Sequence, residues 1–192
     1  MISIDTVKKL RDRTGISIMQ CKKALEEVDG DVEKAIVMLR KNAAKVAEKK
    51  SGRKLGAGVV QAYIHTNNTI GSMIELSCET DFVSKNEEFV TLARDIAMHA
   101  AATDPISIDR SGIEESKVEA AQSVFEDESK DKPNEIRQKI IEGKMDSYYK
   151  DIVLLEQSFI KDQEKTIKDL IEEAIQKFGE KVEITRFVRF SL

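Results

Sequence analysis

The sequence of 192 residues has few of the residue types that mark secreted, metal-binding or membrane proteins. It contains no tryptophan, two prolines, two cysteines and two histidines, and aromatic residues make up 5% of the chain. Cys21 and Cys78 lie far apart, with no CxxC pair and no histidine-rich neighbourhood, so no zinc site is predicted. No run approaches the roughly 20 apolar residues that a membrane-spanning helix needs.

Sequence motifs for enzyme chemistry are also missing. A GxGxxG pattern begins at Gly56, but Gln61 stands in its third glycine position, and GxxxxGK[ST], GxSxG and HExxH do not occur. The two histidines, His65 and His99, have no carboxylate partner at a suggestive spacing. The sequence therefore predicts a protein that is not an enzyme and that carries no cofactor or metal.

The beginning of the chain, Met1–Asp5, has neither the basic segment nor the apolar segment of a secretory signal peptide. Together with the sparse cysteines, this predicts a cytoplasmic protein with reduced thiols. Hydrophobic residues make up 41% of the chain and charged residues 34%, which is typical of a helix-rich globular protein.

The charge is divided unevenly along the chain. Residues 1–54 carry 14 Lys and Arg against 8 Asp and Glu, a net charge of +6, while the other 138 residues carry 17 against 27, a net charge of −10. The stretch 40–54 holds seven basic residues and one acid. A basic head on an acidic body fits either a nucleic acid or an acidic protein partner, so charge alone does not choose between them.

Three short amphipathic helices are predicted in the first 40 residues. Ser17 followed by Gln20 is a capping-box pattern, and Asp31 is a predicted helix N-cap. Three such helices with tight turns can share one core, which predicts a small independent bundle. The predicted buried faces are Ile4, Val7 and Leu10; Cys21, Ala24, Leu25 and Val28; and Val32, Ala35, Ile36 and Leu39.

A β-hairpin is predicted next, because residues 59–65 and 70–78 are rich in β-branched side chains and flank the turn residues Asn67 and Asn68. A helix should follow, with Asn86 at its cap. Its predicted buried face consists of Phe89, Leu92, Ala93, Ile96, Ala97 and Ala100.

The second half of the chain predicts a helical hairpin at about 111–148, opened by a capping box at Ser111 and Glu114 and interrupted at Pro133. Residues 151–165 give no clear assignment. A last helix should open at Thr166, and the tail 182–190 should form a strand that pairs non-locally with the early hairpin.

These elements predict an α+β fold, a small antiparallel sheet packed with helices and preceded by the three-helix bundle. The predicted domains are residues 1–54, which comprise the bundle and a basic linker, and residues 55–192, which form the core.

Two surfaces are candidates for binding a partner. Asp81 and Phe82 follow a predicted strand and precede a helix cap, where they are either a turn acid beside a core aromatic or an acid–aromatic pair that enters a partner. Arg11, Ile18 and Met19 are either ordinary solvated helix positions or a small adhesive patch. The residue pattern leaves both alternatives open.

Several segments together resemble the elongation factor Ts family. Leu10–Gly15 with Met19–Leu25 resembles its opening signature, and Cys78–Val83 resembles its second signature. Ile96–Ala101 and Ile184–Phe190 are also similar to the family. Four matches in the family's order, spread over nearly the whole chain, are far more specific than a single short motif.

The resemblance implies a bundle similar to the ubiquitin-associated fold, a coiled-coil-like hairpin, and a core with one copy where longer members have two. By similarity with short members, a homodimer would supply the second half. The implied partner is elongation factor Tu, whose GDP would be released when the phosphate and magnesium site is disturbed. The implied contact residues are Arg11, Ile18, Met19, Thr80, Asp81, Phe82, Val83 and His99.

Two other functions compete with this one. A nucleic-acid-binding protein would use the basic stretch 40–54, but that stretch has no interleaved aromatic residues for stacking, and the acidic body would repel RNA. A ubiquitin-binding adaptor would rest on the three-helix start alone. The resemblance favours the exchange factor, with no direct contact to nucleic acid, nucleotide or membrane.

Overall fold

The computed structural model describes residues 2–192. Within them the chain forms eight α-helices and five β-strands, an α+β fold as predicted. The helices are α1 Ile4–Thr14, α2 Ile18–Glu27, α3 Val32–Lys50, α4 Asp81–Ser84, α5 Glu87–Thr103, α6 Glu115–Glu128, α7 Asn134–Ile152 and α8 Ile167–Phe178. The strands are β1 Ala57–Ile64, β2 Ile70–Cys78, β3 Ser158–Phe159, β4 Asp162–Thr166 and β5 Val182–Ser191.

The chain divides into two compact units, each made of three segments. The first unit contains the described residues up to Val59, together with Leu76–Leu92 and Asp169–Thr185. The second contains Val60–Glu75, Ala93–Lys168 and Arg186–Leu192.

The three predicted N-terminal helices are confirmed, and each begins where a side chain caps it. Ser3, Ser17 and Asp31 accept hydrogen bonds from backbone N–H groups three residues further on, which would otherwise lack partners. Ile4 differs from the prediction, because 75% of its surface is exposed while Val7 and Leu10 are buried. The shared core is Val7, Leu10, Ile16, Cys21, Ala24, Leu25, Ala35 and Leu39.

A three-stranded sheet has the order β1-β2-β5, so the predicted non-local pairing of the tail is confirmed. The predicted hairpin turn is present, with a hydrogen bond of 2.8 Å from the His65 N–H to the Ile70 carbonyl. β5 runs antiparallel to β2, since Arg186 meets Glu75 and the Leu192 N–H meets the Thr69 carbonyl.

The helix predicted after Asn86 is α5. The Asn86 side chain accepts a hydrogen bond of 2.9 Å from the Glu88 N–H, which confirms its place at the helix start. The predicted face is buried at Phe89, Ala93, Ile96, Ala97 and Ala100.

The helical hairpin consists of α6 and α7, but the predicted cap at Ser111 is wrong. Ser111 lies in a short 3₁₀ turn, where the Asp109 carboxylate accepts its N–H at 2.8 Å. α6 begins after Glu114, which makes no side-chain cap bond. Because the Asp109 carboxylate holds Ser111 in the 3₁₀ turn, Ser111 does not cap α6. The helix starts four residues later, at Glu115.

The sequence predicts no clear element for residues 151–165. In the structure they form the end of α7, a 3₁₀ turn and most of a small antiparallel pair of strands, β3 and β4. α8 begins directly after Thr166 and ends at Phe178, and Gly179 follows with a φ of +73°. None of the described helices is both long enough and apolar enough to span a membrane.

Candidate partner-binding surface

The first predicted patch lies at the start of α2 and on the last turn of α1. Burial of Cys21, Ala24 and Leu25 fixes which face of α2 points inward. Ile18 and Met19 therefore remain outside, with 53% and 77% of their surfaces exposed. Arg11 on α1 is exposed as well. We call Arg11, Ile18 and Met19 the helical patch.

The second predicted surface is the single turn of α4 with the residue before it, Thr80–Ser84. Phe82 is 86% exposed, whereas Val83 beside it is 8% exposed and faces the interior. Thr80 and Asp81 are exposed. We call Thr80, Asp81 and Phe82 the acid–aromatic turn.

The acid–aromatic turn contains an ionised carboxylate that is paired with a lysine. The Lys85 ammonium donates to the Asp81 carboxylate at 2.6 Å, one helical turn away. This hydrogen bond and the charge of Lys85 lower the pKa of Asp81 below its usual value. Asp81 is therefore ionised at neutral pH beside a phenyl ring that has almost no packing of its own.

Both surfaces belong to the first compact unit. Lys177 on α8 helps to hold them in one body, because it is ion-paired with Glu88, just after the acid–aromatic turn. Its Nζ also lies 2.8 Å from the position that a Cβ on Gly15 would occupy, between Arg11 and Ile18 of the helical patch. The two predicted patches are thus presented by a single packed body.

Val83 and His99 are placed differently from the other predicted contact residues. Val83 is buried under α4, and His99 lies in the second unit with no exposed surface. The His99 Nδ1 accepts from the Ile160 N–H at 3.3 Å, and its Nε2 lies 3.0 Å from Oε1 of Gln157. Neither side chain is accessible in this structure, so we treat both as supports and not as contacts.

Glu180 also contributes to this surface, and the sequence did not predict a role for it. Its carboxylate accepts the backbone N–H of Glu79 at 3.1 Å, the N–H of Thr80 at 2.9 Å and the Thr80 hydroxyl at 2.5 Å. No local sequence signal points to this contact, because 100 residues separate the two segments.

The basic stretch 40–54 is partly engaged within the first unit. Lys50 donates to the Gly179 carbonyl at 2.6 Å, and Arg53 to Glu79 at 3.2 Å. Arg40 lies 3.8 Å from Glu173. Three of the seven basic side chains thus have protein partners, which leaves a weaker surface for phosphate.

The two cysteines are free and buried. Burial raises the pKa of both thiols, and Glu180 raises that of Cys78 further. Both are held as unreactive thiols at neutral pH. Among residues 2–192, no group of three or more His, Cys, Asp or Glu side chains is placed to hold a metal ion.

The fold and surface define an α+β protein in which a three-helix bundle and a one-turn helix present exposed apolar side chains beside a carboxylate. A family model described as elongation factor TS matches residues 7–192. Elongation factor Ts of Thermosipho melanesiensis is 46% identical over 194 residues, covering 100% of this chain and 99% of the relative. The relative from Desulforamulus reducens is 47% identical over 193 residues, covering 100% of this chain and 89% of its own length.

The chain therefore belongs to the elongation factor Ts family. This membership gives it a role in translation elongation.

Proposed function

We propose that this chain is a guanine-nucleotide exchange factor that binds elongation factor Tu in its GDP form and promotes release of the GDP. Family membership supports the choice of partner. The observation that carries the proposal is the 86% exposure of Phe82 on a turn whose backbone is tied down on both sides. An exposed aromatic side chain on a rigid support is a strong anchor for a protein interface.

The acid–aromatic turn supplies the chemistry of the proposal. Phe82 would enter a gap between side chains of elongation factor Tu and hold them apart. Asp81 brings a carboxylate towards a site where magnesium is the main positive charge on the phosphates. The helical patch adds apolar area and one guanidinium group at a second point of contact, which sets the orientation.

The energetics of exchange are those of thermodynamic linkage. A factor that binds nucleotide-free elongation factor Tu more tightly than the GDP-bound form weakens GDP binding by the same ratio. No covalent bond is made or broken in this scheme, so the chain needs no general base, metal or cofactor of its own. It would act where elongation factor Tu acts, in the cytoplasm.

The test is stopped-flow release of a fluorescent GDP from elongation factor Tu. Phe82→Ala and Asp81→Asn should each lower the rate of GDP release that the protein stimulates. Loss of an aromatic anchor worth about 2 kcal/mol corresponds to a roughly 30-fold lower stimulated rate. Val124→Ala and Asp127→Asn on α6 are matched controls, since Val124 is 54% exposed and Asp127 pairs with Lys130 at 2.7 Å as Asp81 does with Lys85. Absence of acceleration by the intact protein would reject the exchange function.

We also propose that two copies of the chain associate through the open face of the sheet, in the second unit. Two contacts identify the side chains that share this face. Arg186 on β5 pairs with Glu75 on β2, and Ile64 on β1 lies 2.6 Å from the position that a Cβ on Gly71 of β2 would occupy. Because side chains alternate along a strand, every second residue counted from these positions lies on the same face. That face exposes Val60, Ile64, Met73, Val188 and Phe190. Contiguous apolar side chains of this kind mark protein interfaces.

Sedimentation equilibrium of the free chain tests this association. Ile64→Glu should shift the molecular mass from dimer to monomer, and Val124→Glu on α6 should leave it unchanged. A monomeric wild-type chain at micromolar concentration would reject the dimer and leave the exchange proposal standing.

A further inference from the structure

The segment that leads into α4 is held by a carboxylate from a distant part of the chain. Glu180 accepts three hydrogen bonds from Glu79 and Thr80, two from the backbone and one from the Thr80 hydroxyl. Thr80 stands in the N-cap position of α4, yet its side chain makes no cap bond to its own helix. The Thr80 hydroxyl donates a hydrogen bond to the Glu180 carboxylate instead of capping α4.

The attachment is reciprocal. The Glu79 carboxylate accepts the Lys181 N–H at 2.6 Å and also binds Arg53. Gly179, the residue before Glu180, donates its N–H to the Ile175 carbonyl at the end of α8. Glu180 therefore stands on a fixed helix terminus. Residues 79–80 and 179–181 are cross-linked in both directions, because a carboxylate on each side accepts backbone N–H groups from the other.

α4 cannot orient Phe82 without such support. A helix of four residues has a single turn, which is far too short to be stable alone. The Phe82 ring is 86% exposed and has little packing to hold it. The direction of the ring is therefore set by the backbone, which the buried Val83 fixes on the inner side and Glu180 fixes at the start.

We infer that Glu180 is a positioning residue for nucleotide exchange, which directs Phe82 towards elongation factor Tu without touching the partner itself. This inference rests on the proposed function. An anchor held in its binding orientation loses less freedom on association, so the interface gains from the rigidity of the turn. Removing the Glu180 carboxylate releases two backbone N–H groups and one hydroxyl, and the turn then samples other orientations.

The test is a double-mutant cycle on stimulated GDP release with Glu180→Ala, Phe82→Ala and the double variant. Glu180→Ala should lower the stimulated rate about 10-fold in the presence of Phe82 and have no further effect once Phe82 is alanine. Glu180→Gln retains an oxygen for the two N–H groups and should recover most of the rate. Glu183→Ala is the matched control, because Glu183 is an exposed acid three residues away that pairs with Lys181 at 2.7 Å.

Amide hydrogen exchange of Glu79 and Thr80 gives a second readout, since their N–H groups should exchange faster in Glu180→Ala and remain protected in Glu183→Ala. If Glu180→Ala does not fold, Thr80→Val takes its place in the cycle, because it removes only the hydroxyl bond and should slow release a few-fold through Phe82. Equal losses with and without Phe82 would overturn the positioning role and leave Glu180 as a general stabiliser.

The two proposals fail in different ways. If the intact protein does not accelerate GDP release from elongation factor Tu, both proposals fall. If it does and Phe82→Ala accelerates release equally well, the exchange function stands, but the acid–aromatic turn is not its exchange element and the positioning role of Glu180 is rejected. If Phe82→Ala slows release while Glu180→Ala does not, the exchange proposal stands and the positioning role of Glu180 is rejected.

Discussion

Gly15 ends α1 with a φ of +67°, in the left-handed region where a side chain is strained. Its N–H donates to the Arg11 carbonyl at 2.7 Å, which closes the helix. Lys177 Nζ lies 2.8 Å from where a Cβ would stand. At this residue the backbone conformation favours glycine, and a Cβ would also have to displace the end of the Lys177 side chain, which is ion-paired with Glu88.

We expect Gly15→Ala to lower the free energy of unfolding more than Gly30→Ala does. Gly30 has a φ of +85° but no atom within 4 Å of its Cβ position, so this control carries the backbone strain alone, about 1–2 kcal/mol. Urea unfolding followed by circular dichroism measures both losses. Equal losses would show that Lys177 moves aside without cost.

His99 is neutral in the folded chain, because burial lowers its pKa. Its Nδ1 accepts the Ile160 N–H, so the proton sits on Nε2 and is donated to Gln157, whose Oε1 also accepts from Thr103 at 2.9 Å. Protonation would place a donor against the Ile160 N–H and a charge in the interior.

The free energy of unfolding should therefore fall as the pH falls through about 6.5, where the unfolded chain takes up the proton that the folded chain refuses. Each unit of difference between the two pKa values is worth about 1.4 kcal/mol. Urea unfolding between pH 5.5 and 7.5 measures this slope, which His99→Gln should flatten. A wild-type curve that is flat over this range would contradict the neutral tautomer.

At the scale of elements, the helical hairpin has little core of its own. α6 buries no side chain and α7 buries only Met145, whereas α5 buries five of the six residues of its predicted face, all but the partly buried Leu92. The contacts between the two hairpin helices include Phe125 and Tyr148, whose ring centroids are 6.4 Å apart, and the Lys144–Glu128 ion pair. Tertiary burial stabilises α5, while α6 depends on its neighbour in the hairpin.

Native-state hydrogen exchange should therefore show faster exchange of the α6 amides than of the α5 amides, by more than 10-fold. α5 in the same sample serves as the internal reference. Phe125→Ala should speed exchange in α6 further while α5 keeps its protection. Protection in α6 equal to that in α5 would indicate that another surface covers the hairpin in solution.

At the scale of the whole molecule, the N-terminal bundle has a closed core of its own. The buried residues of its core cluster and the partly buried side chains packed against them all lie between Ile2 and Leu39. Its bonds to the rest of the first unit include the Lys50–Gly179 contact and the Arg40–Glu173 pair, both at the surface of α3. We propose residues 1–54 as an independent folding domain.

A fragment of residues 1–54 should fold cooperatively, with only a few kcal/mol of stability, because domains of this size bury little surface. Thermal unfolding by circular dichroism and dispersed methyl NMR signals would establish this. Leu25→Ala removes a fully buried side chain and about 2–5 kcal/mol, so that fragment should be unfolded. A wild-type fragment without a melting transition would contradict the domain.

Features governed by neighbours along the chain were predictable. Ser17 and Asp31 cap their helices as expected, because an N-cap bond joins residues three apart. The cap predicted at Ser111 was wrong for a local reason too, since Asp109, two residues earlier, accepts the N–H and hydroxyl of Ser111 and the N–H of Gly112. Of the alternatives that the sequence left open, Met19 and Phe82 are exposed side chains and not core residues.

The sequence by itself determined the family, the α+β class, the caps of α2, α3 and α5 and the pairing of the tail strand with the hairpin, because these depend on periodicity, capping and signature residues. Only the tertiary structure decided that Val83 and His99 are buried and that Glu180 holds the start of α4. Burial depends on what the rest of the chain lays over a side chain. A hydrogen bond between residues 100 positions apart leaves no local pattern, since either partner alone is an ordinary polar residue.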